Sequence, residues 1–163
     1  MMRIGHGMDV HQLAEGHPFV LGGVKIPFHK GAVGHSDADV LIHAVCDALL
    51  GAAALRDIGF HFPDSSDEFL NIDSRLLLQS VVELLAKHHY RIGNVDCTIA
   101  LQEPKISKYI PEMQETLASL MHIDLNCMSI KATTTEHLGF TGRGEGIAVW
   151  AVALLYDDHQ VEV

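Results

Sequence analysis

The sequence predicts an α+β fold of the α/β-sandwich type. One domain, residues 1–163, would hold a mixed four-stranded sheet with helices packed on one face and a small hairpin near the N-terminus. Three observations carry this expectation. The apolar pattern alternates between strand and helix periods in the order β-ββ-α-α-β-α-β-β. Hydrophobic residues make up 48% of 163 residues, enough for one packed core. No Gly-, Pro- or Ser-rich run and no internal repeat marks a linker or a second unit.

Residues 2–13 alternate with period two and read as a strand. Phe19 to Ile26 reads as a hairpin around Gly22-Gly23, since two successive glycines suit a tight two-residue turn. Ser36-Asp37-Ala38-Asp39 resembles a helix cap with acid in its first turn, and the helix it opens runs to about Leu55. Val40, Leu41, Ala44, Val45, Ala48 and Leu49 give that helix an apolar face. Residues 56–73 hold Gly59, Pro63 and several Asp and Ser, a loop composition. Asp73 or Ser74 then caps a helix to about His88, and Arg91 to Leu101 is a strand. A third helix covers Lys108 to Met121, with Pro111 tolerable only in its first turn. Met128–Thr134 and Ile147–Tyr156 are apolar strands. The last is almost wholly apolar, which fits a central strand buried on both faces or burial between subunits.

Charge and composition exclude several function classes. With 11 basic and 21 acidic side chains the net charge is −10, the wrong sign for a duplex nucleic-acid binder. A small phosphorylated ligand stays compatible, because such a site needs only local positive charge. Cys46, Cys97 and Cys127 are isolated and odd in number, so they read as buried structural thiols rather than a disulfide framework or a nucleophile. The N-terminus has no signal-peptide pattern and no run approaches a membrane span, so a soluble protein of a reducing compartment is expected.

The chemistry lies in three segments. Asp9 and His11 are two residues apart on a strand and project from one face. Alone they are either a surface pair or two ligands of zinc or a similar cation. Asp39, His43 and Asp47 form a polar stripe on the first helix, either a solvated face or a source of the third ligand, His43. Three ligands with one open position is the pattern of a catalytic zinc site. His35-Ser36, just ahead of that helix, suits an anion and equally suits an ordinary cap. Thr133-Thr134-Thr135-Glu136 ends a strand; its hydroxyls can hold phosphoryl oxygens and Glu136 a hard cation such as magnesium, or the threonines simply reflect strand propensity. Arg143, within the glycine-rich stretch Phe140 to Gly146, is a candidate phosphate fork.

Taken in order, these segments closely resemble the 2-C-methyl-D-erythritol 2,4-cyclodiphosphate synthase family. The shared motifs run nearly end to end: D-V-H, G-H-S-D-x-D-V-x-x-H-A, D-A-L-L-G-A-A-A-L, D-I-G with F-P-D, D-S-R, P-K-I, and T-T-T-E-x-L-G-F-T-G-R-G-E-G-I-A. The resemblance implies a homotrimer with active sites between adjacent subunits. It implies that Asp9, His11 and His43 hold zinc, and that His35 and Thr134 hold phosphates through the transition state, with Ser36 beside them. Asp57, Ile58 and Gly59, helped by Phe62 and Asp64, would take the erythritol hydroxyls. Leu101, Pro104, Lys105 and Ile106 with Thr133 and Thr135 would form the cytidine diphosphate pocket, and Glu136 would bind a second cation, magnesium or manganese. Ser65-Ser66, Leu101 and Glu103 depart from residues common in the family at those positions.

The implied reaction is intramolecular. The 2-phosphate of 4-diphosphocytidyl-2-C-methyl-D-erythritol 2-phosphate attacks its own β-phosphorus, CMP leaves, and a cyclic diphosphate remains. A phosphate monoester is already an anionic nucleophile, which fits the lack of an obvious nucleophile–base pair. A zinc phosphohydrolase, consuming water, is the rival enzyme. A trimeric sensor of nucleotides or isoprenoid diphosphates is the non-catalytic rival. The apolar last strand, Phe140 and Arg143 also raise the expectation of an isoprenoid-diphosphate cavity on the trimer axis. The resemblance fits a cytoplasmic bacterial protein, or a plastid one after removal of a transit peptide.

Overall fold

The structure, a computed structural model, describes residues 1–63 and 71–158. Four long strands build the sheet: β1 (Met2–Glu15), β5 (Tyr90–Ala100), β6 (Met128–Thr133) and β7 (Gly146–Asp157). Short strands β2 (Val20–Leu21) and β3 (Val24–Lys25) form the hairpin, and β4 (Lys30–Ala32) adds a fifth, edge strand. The order is β4-β1-β7-β5-β6, with only β5 and β6 parallel. Three residues are too few to show a period, so β4 had no visible sequence signal.

The long helices are α1 (Val40–Ala52), α3 (Ser74–Lys87) and α4 (Ile110–Met121), all against one face of the sheet. In the predicted loop the described residues 56–63 are less irregular than their composition suggests, because Asp57 caps a single helical turn, α2 (Ile58–His61). A similar turn, α5 (Gly139–Gly142), precedes β7. α1 is shorter at both ends than its apolar pattern, and Asp39 rather than Ser36 is its cap, accepting the N–H of Ile42. Cys127 lies in a short 3₁₀ turn before β6 and is half-buried, whereas Cys46 and Cys97 are fully buried. Burial pushes the Cys97 thiol up to about 12, as expected of an inert structural thiol.

Two features place the functional side chains. α1 lies directly on β1 because β1 carries glycine where the helix crosses it. A Cβ on Gly5 would stand 1.9 Å from the Ala48 carbonyl oxygen, and one on Gly7 2.0 Å from that of Ala44. The hairpin is then fastened to the start of α1. Gly22 and Gly23 take φ of 59° and 75°, and their N–H groups donate to the two carboxylate oxygens of Asp39, at 2.9 and 2.7 Å. Asp39 is fully buried, so it is a structural bracket and not part of a solvated stripe.

β7 is central, as its composition predicts, but only one of its faces is covered within the chain. Val149, Ala151, Ala153 and Leu155 lie under the helices, while Trp150 is 37% and Val152 43% exposed. Ile4, Met8 and Val10 of β1 extend this open apolar face. Among the described residues, no helix is long and apolar enough to cross a membrane.

Candidate metal centre

Asp9 and His11 project from the helix-covered side of β1, and His43 projects from the first full turn of α1. One donor atom of each lies within 4.8 Å of the others, and this is the one such group among the described residues. Asp9 Oδ2 is 3.0 Å from His11 Nε2 and 3.1 Å from His43 Nδ1.

The remaining ring nitrogens decide what these atoms offer. His11 Nδ1 is 2.7 Å from the Val33 carbonyl oxygen and so donates its hydrogen there. A side chain at Gly34 would collide with the His11 ring, its Cβ 2.8 Å from Cε1, so glycine lets this segment pass close enough. His43 Nε2 faces two hydroxyls, Ser36 Oγ at 3.1 Å and Ser74 Oγ at 3.0 Å. With its outer nitrogen donating, His11 turns the Nε2 lone pair toward the Asp9 carboxylate, and His43 presents Nδ1 to the same oxygen. A lone pair and an anion converge in this way only around a proton or a cation. The donor set, one carboxylate and two imidazoles, fits a divalent metal. Burial by itself would raise the Asp9 carboxyl, but hydrogen bonds and charge from His11 and His43 hold it well below the usual carboxylate range. Burial likewise opposes charge on His11, yet Asp9 and the Val33 carbonyl raise its pKa.

The triad opens into a cleft of about 320 Å³. His35 and Ser36 line it together with the triad, as do Ile58, Gly59 and Phe62. Asp57 does not line it; it is the α2 cap, accepting the N–H of Phe60 at 2.9 Å. Asp64 lies outside the described residues, as do Ser65 and Ser66. Asp47, read in the sequence only as part of a stripe, lines the cleft and accepts the Ile58 N–H at 2.8 Å, tying α2 to α1. Burial first, then the charges of Asp57 and Asp9, raise its carboxyl against the pull of that N–H.

The remaining expected site residues lie elsewhere on the chain. Leu101, Pro104, Lys105 and Ile106 share a recess of about 130 Å³ with Thr133 and Thr134. Thr134 Oγ1 donates to Glu136 at 2.6 Å, and Thr135 Oγ1 donates to the Leu138 carbonyl at 2.7 Å. β6 ends at Thr133, and Glu136 and His137 both take left-handed backbone, φ 53° and 62°, so the chain turns sharply after Thr135. Arg143 is engaged by Glu145 at 2.9 Å and lines a third recess with Lys30 and His137, while Phe140 stands partly exposed over Gly146. The triad cleft and the threonine recess have no lining residue in common. Ser74, Asp37 and the Val33 carbonyl were not legible as site groups. Their part depends on contacts 22 to 37 residues apart in the chain.

Fold and site together define an α+β protein with a candidate three-residue site for a divalent metal, open to a cleft. The YgbB family model matches residues 2–156. The 2-C-methyl-D-erythritol 2,4-cyclodiphosphate synthase of Bacteroides thetaiotaomicron is 58% identical over 157 residues, which is 96% of this chain and 99% of that protein. Among solved structures, the bifunctional IspDF of Campylobacter jejuni superposes with a TM-score of 0.92 at 39% identity; the match covers 96% of this chain and 43% of that one. The Plasmodium falciparum IspF–CDP complex gives 0.84 at 34% identity, covering 96% of both chains. The chain belongs to the YgbB family, that of the 2-C-methyl-D-erythritol 2,4-cyclodiphosphate synthases.

Proposed function

We propose that this chain is a 2-C-methyl-D-erythritol 2,4-cyclodiphosphate synthase, a CMP-releasing, cyclising lyase that depends on divalent metal. The observation that carries the reading is the convergence of Asp9, His11 and His43 on one point at the mouth of a cleft, in a chain 58% identical to a synthase of that name.

Asp9, His11 and His43 would hold zinc, leaving a coordination position toward the cleft. Bound there, the ion supplies Lewis-acid polarisation of a phosphoryl oxygen. His35, Ser36 and Thr134 orient the two phosphate groups so that the nucleophilic oxygen faces the β-phosphorus. Asp57 and the backbone of Ile58 and Gly59 bind the erythritol hydroxyls, with Asp47 fixing that segment through the Ile58 N–H. Leu101 to Ser107 with Thr133 and Thr135 seat the cytidine diphosphate moiety, and Glu136 holds magnesium or manganese. One P–O bond forms, the bond to CMP breaks, and no water is consumed. That separates this reading from a phosphohydrolase.

The assembly belongs to the same proposal. Asp9 and His11 face the helix side of the sheet, whereas Thr133 stands on the open side of β6, three strand spacings or about 14 Å away. One chain does not bring the two halves together, so the site is completed by a neighbour in a homotrimer packed through the open apolar face. Incubation with the cytidyl substrate, followed by phosphorus NMR, tests the reading: CMP and a cyclic diphosphate are expected, and inorganic phosphate or no turnover refutes it.

A further inference from the structure

We infer that Ser74, locked by Asp37, is a positioning residue that sets the tautomer of His43 and thereby its capacity to bind metal. The inference rests on the reading of Asp9, His11 and His43 as metal ligands. His43 Nε2 faces two hydroxyls, which differ in their surroundings. Ser36 lines the open cleft, and its oxygen also accepts the Ala38 N–H at 3.2 Å. Ser74 is fully buried at the first residue of α3. Asp37 grips it twice, one carboxylate oxygen accepting the Ser74 hydroxyl and the other its backbone N–H at 3.0 Å.

The direction of the chain follows. An ionised carboxylate only accepts, so the Ser74 hydroxyl hydrogen is committed to Asp37. The lone pairs of Ser74 are what remain for His43, whose Nε2 must then donate. Nδ1 is left with its lone pair, 3.1 Å from the Asp9 carboxylate. Asp37 is itself held by its N–H to the Ile72 carbonyl at 3.0 Å, so the start of α3 and the approach to α1 form one frame behind the ligand. Ser36 is the exchangeable partner: it can turn to a phosphate in the cleft while Ser74 keeps the ring in place.

The test is zinc affinity, measured by competition with a chromogenic chelator, together with the nitrogen-15 spectrum of histidine in the zinc-loaded protein. Ser74→Ala is expected to weaken zinc binding about 10- to 100-fold, and Ser36→Ala less than about threefold. In the unsubstituted protein the His43 proton is expected on Nε2, a readout that needs no variant to fold. Unchanged zinc affinity in Ser74→Ala, or a His43 proton on Nδ1, overturns the inference. Retention of zinc by His43→Ala would instead overturn the metal-centre reading itself.

Discussion

Asp9 and its two imidazoles are the residues on which acidity acts most directly. In metal-free protein the Asp9 carboxyl lies below its ordinary 3.8 and the His11 imidazole above its ordinary 6.5, each held there by the other against burial. The Asp9 contribution to stability is present above 3.8 and is lost as pH falls through its lower folded value. The His11 contribution is full below 6.5 and is lost as pH rises through its raised folded value. This pair therefore stabilises the metal-free fold most between roughly pH 4 and 6.5. As a zinc ligand His11 would have to offer its lone pair, so protons would compete with the metal. The gain in melting temperature on adding zinc is expected to be larger at pH 8 than at pH 6 by scanning calorimetry. An equal gain at both would mean that His11 is not a ligand.

Two contacts between elements decide whether the centre forms at all. The Asp39 carboxylate accepts N–H groups from Gly22 and Ile42, both buried, and from Gly23, partly buried. Asp39→Ala leaves these donors unpaired and is expected to lower unfolding free energy by about 3–5 kcal/mol. Asp39→Asn keeps an oxygen for Gly22 and Ile42 and loses only the Gly23 contact, so about 1–2 kcal/mol is expected. Urea unfolding distinguishes the two; equal losses would show that the charge, not the geometry, matters. The second contact is α1 on β1. Gly7→Ala puts a methyl group where the Ala44 carbonyl oxygen lies, and neither backbone can move without shifting His43 from Asp9. A loss of at least about 3 kcal/mol is expected, with weakened zinc binding in whatever folds.

At the scale of the whole molecule, the open face of β1 and β7 bears on the active site. If the site is shared between neighbours, His43→Ala and Thr134→Ala damage different halves of it. Each variant alone is expected to be inactive. Unfolding and refolding them together at equal amounts should restore about a quarter of the wild-type turnover, because a site is intact only where two undamaged halves meet. No recovery, with both variants trimeric by light scattering, would place the whole site within one chain.

The sequence by itself determined the long elements and pointed to Asp9, His11 and His43 as candidate ligands. Period-two and helical patterns are local, and the i, i+2 spacing of Asp9 and His11 forces them onto one side of β1. The tertiary structure decided everything that depends on distance between segments. It made Asp39 a buried bracket instead of a stripe residue, gave α1 its seat on Gly5 and Gly7, and brought Ser74 and Val33 behind the two imidazoles. It also placed the Thr133–Glu136 segment away from the triad, a separation no linear spacing encodes. The physical reason is that a side chain's type and local period fix which way it points. What it points at is fixed only when the sheet and helices pack.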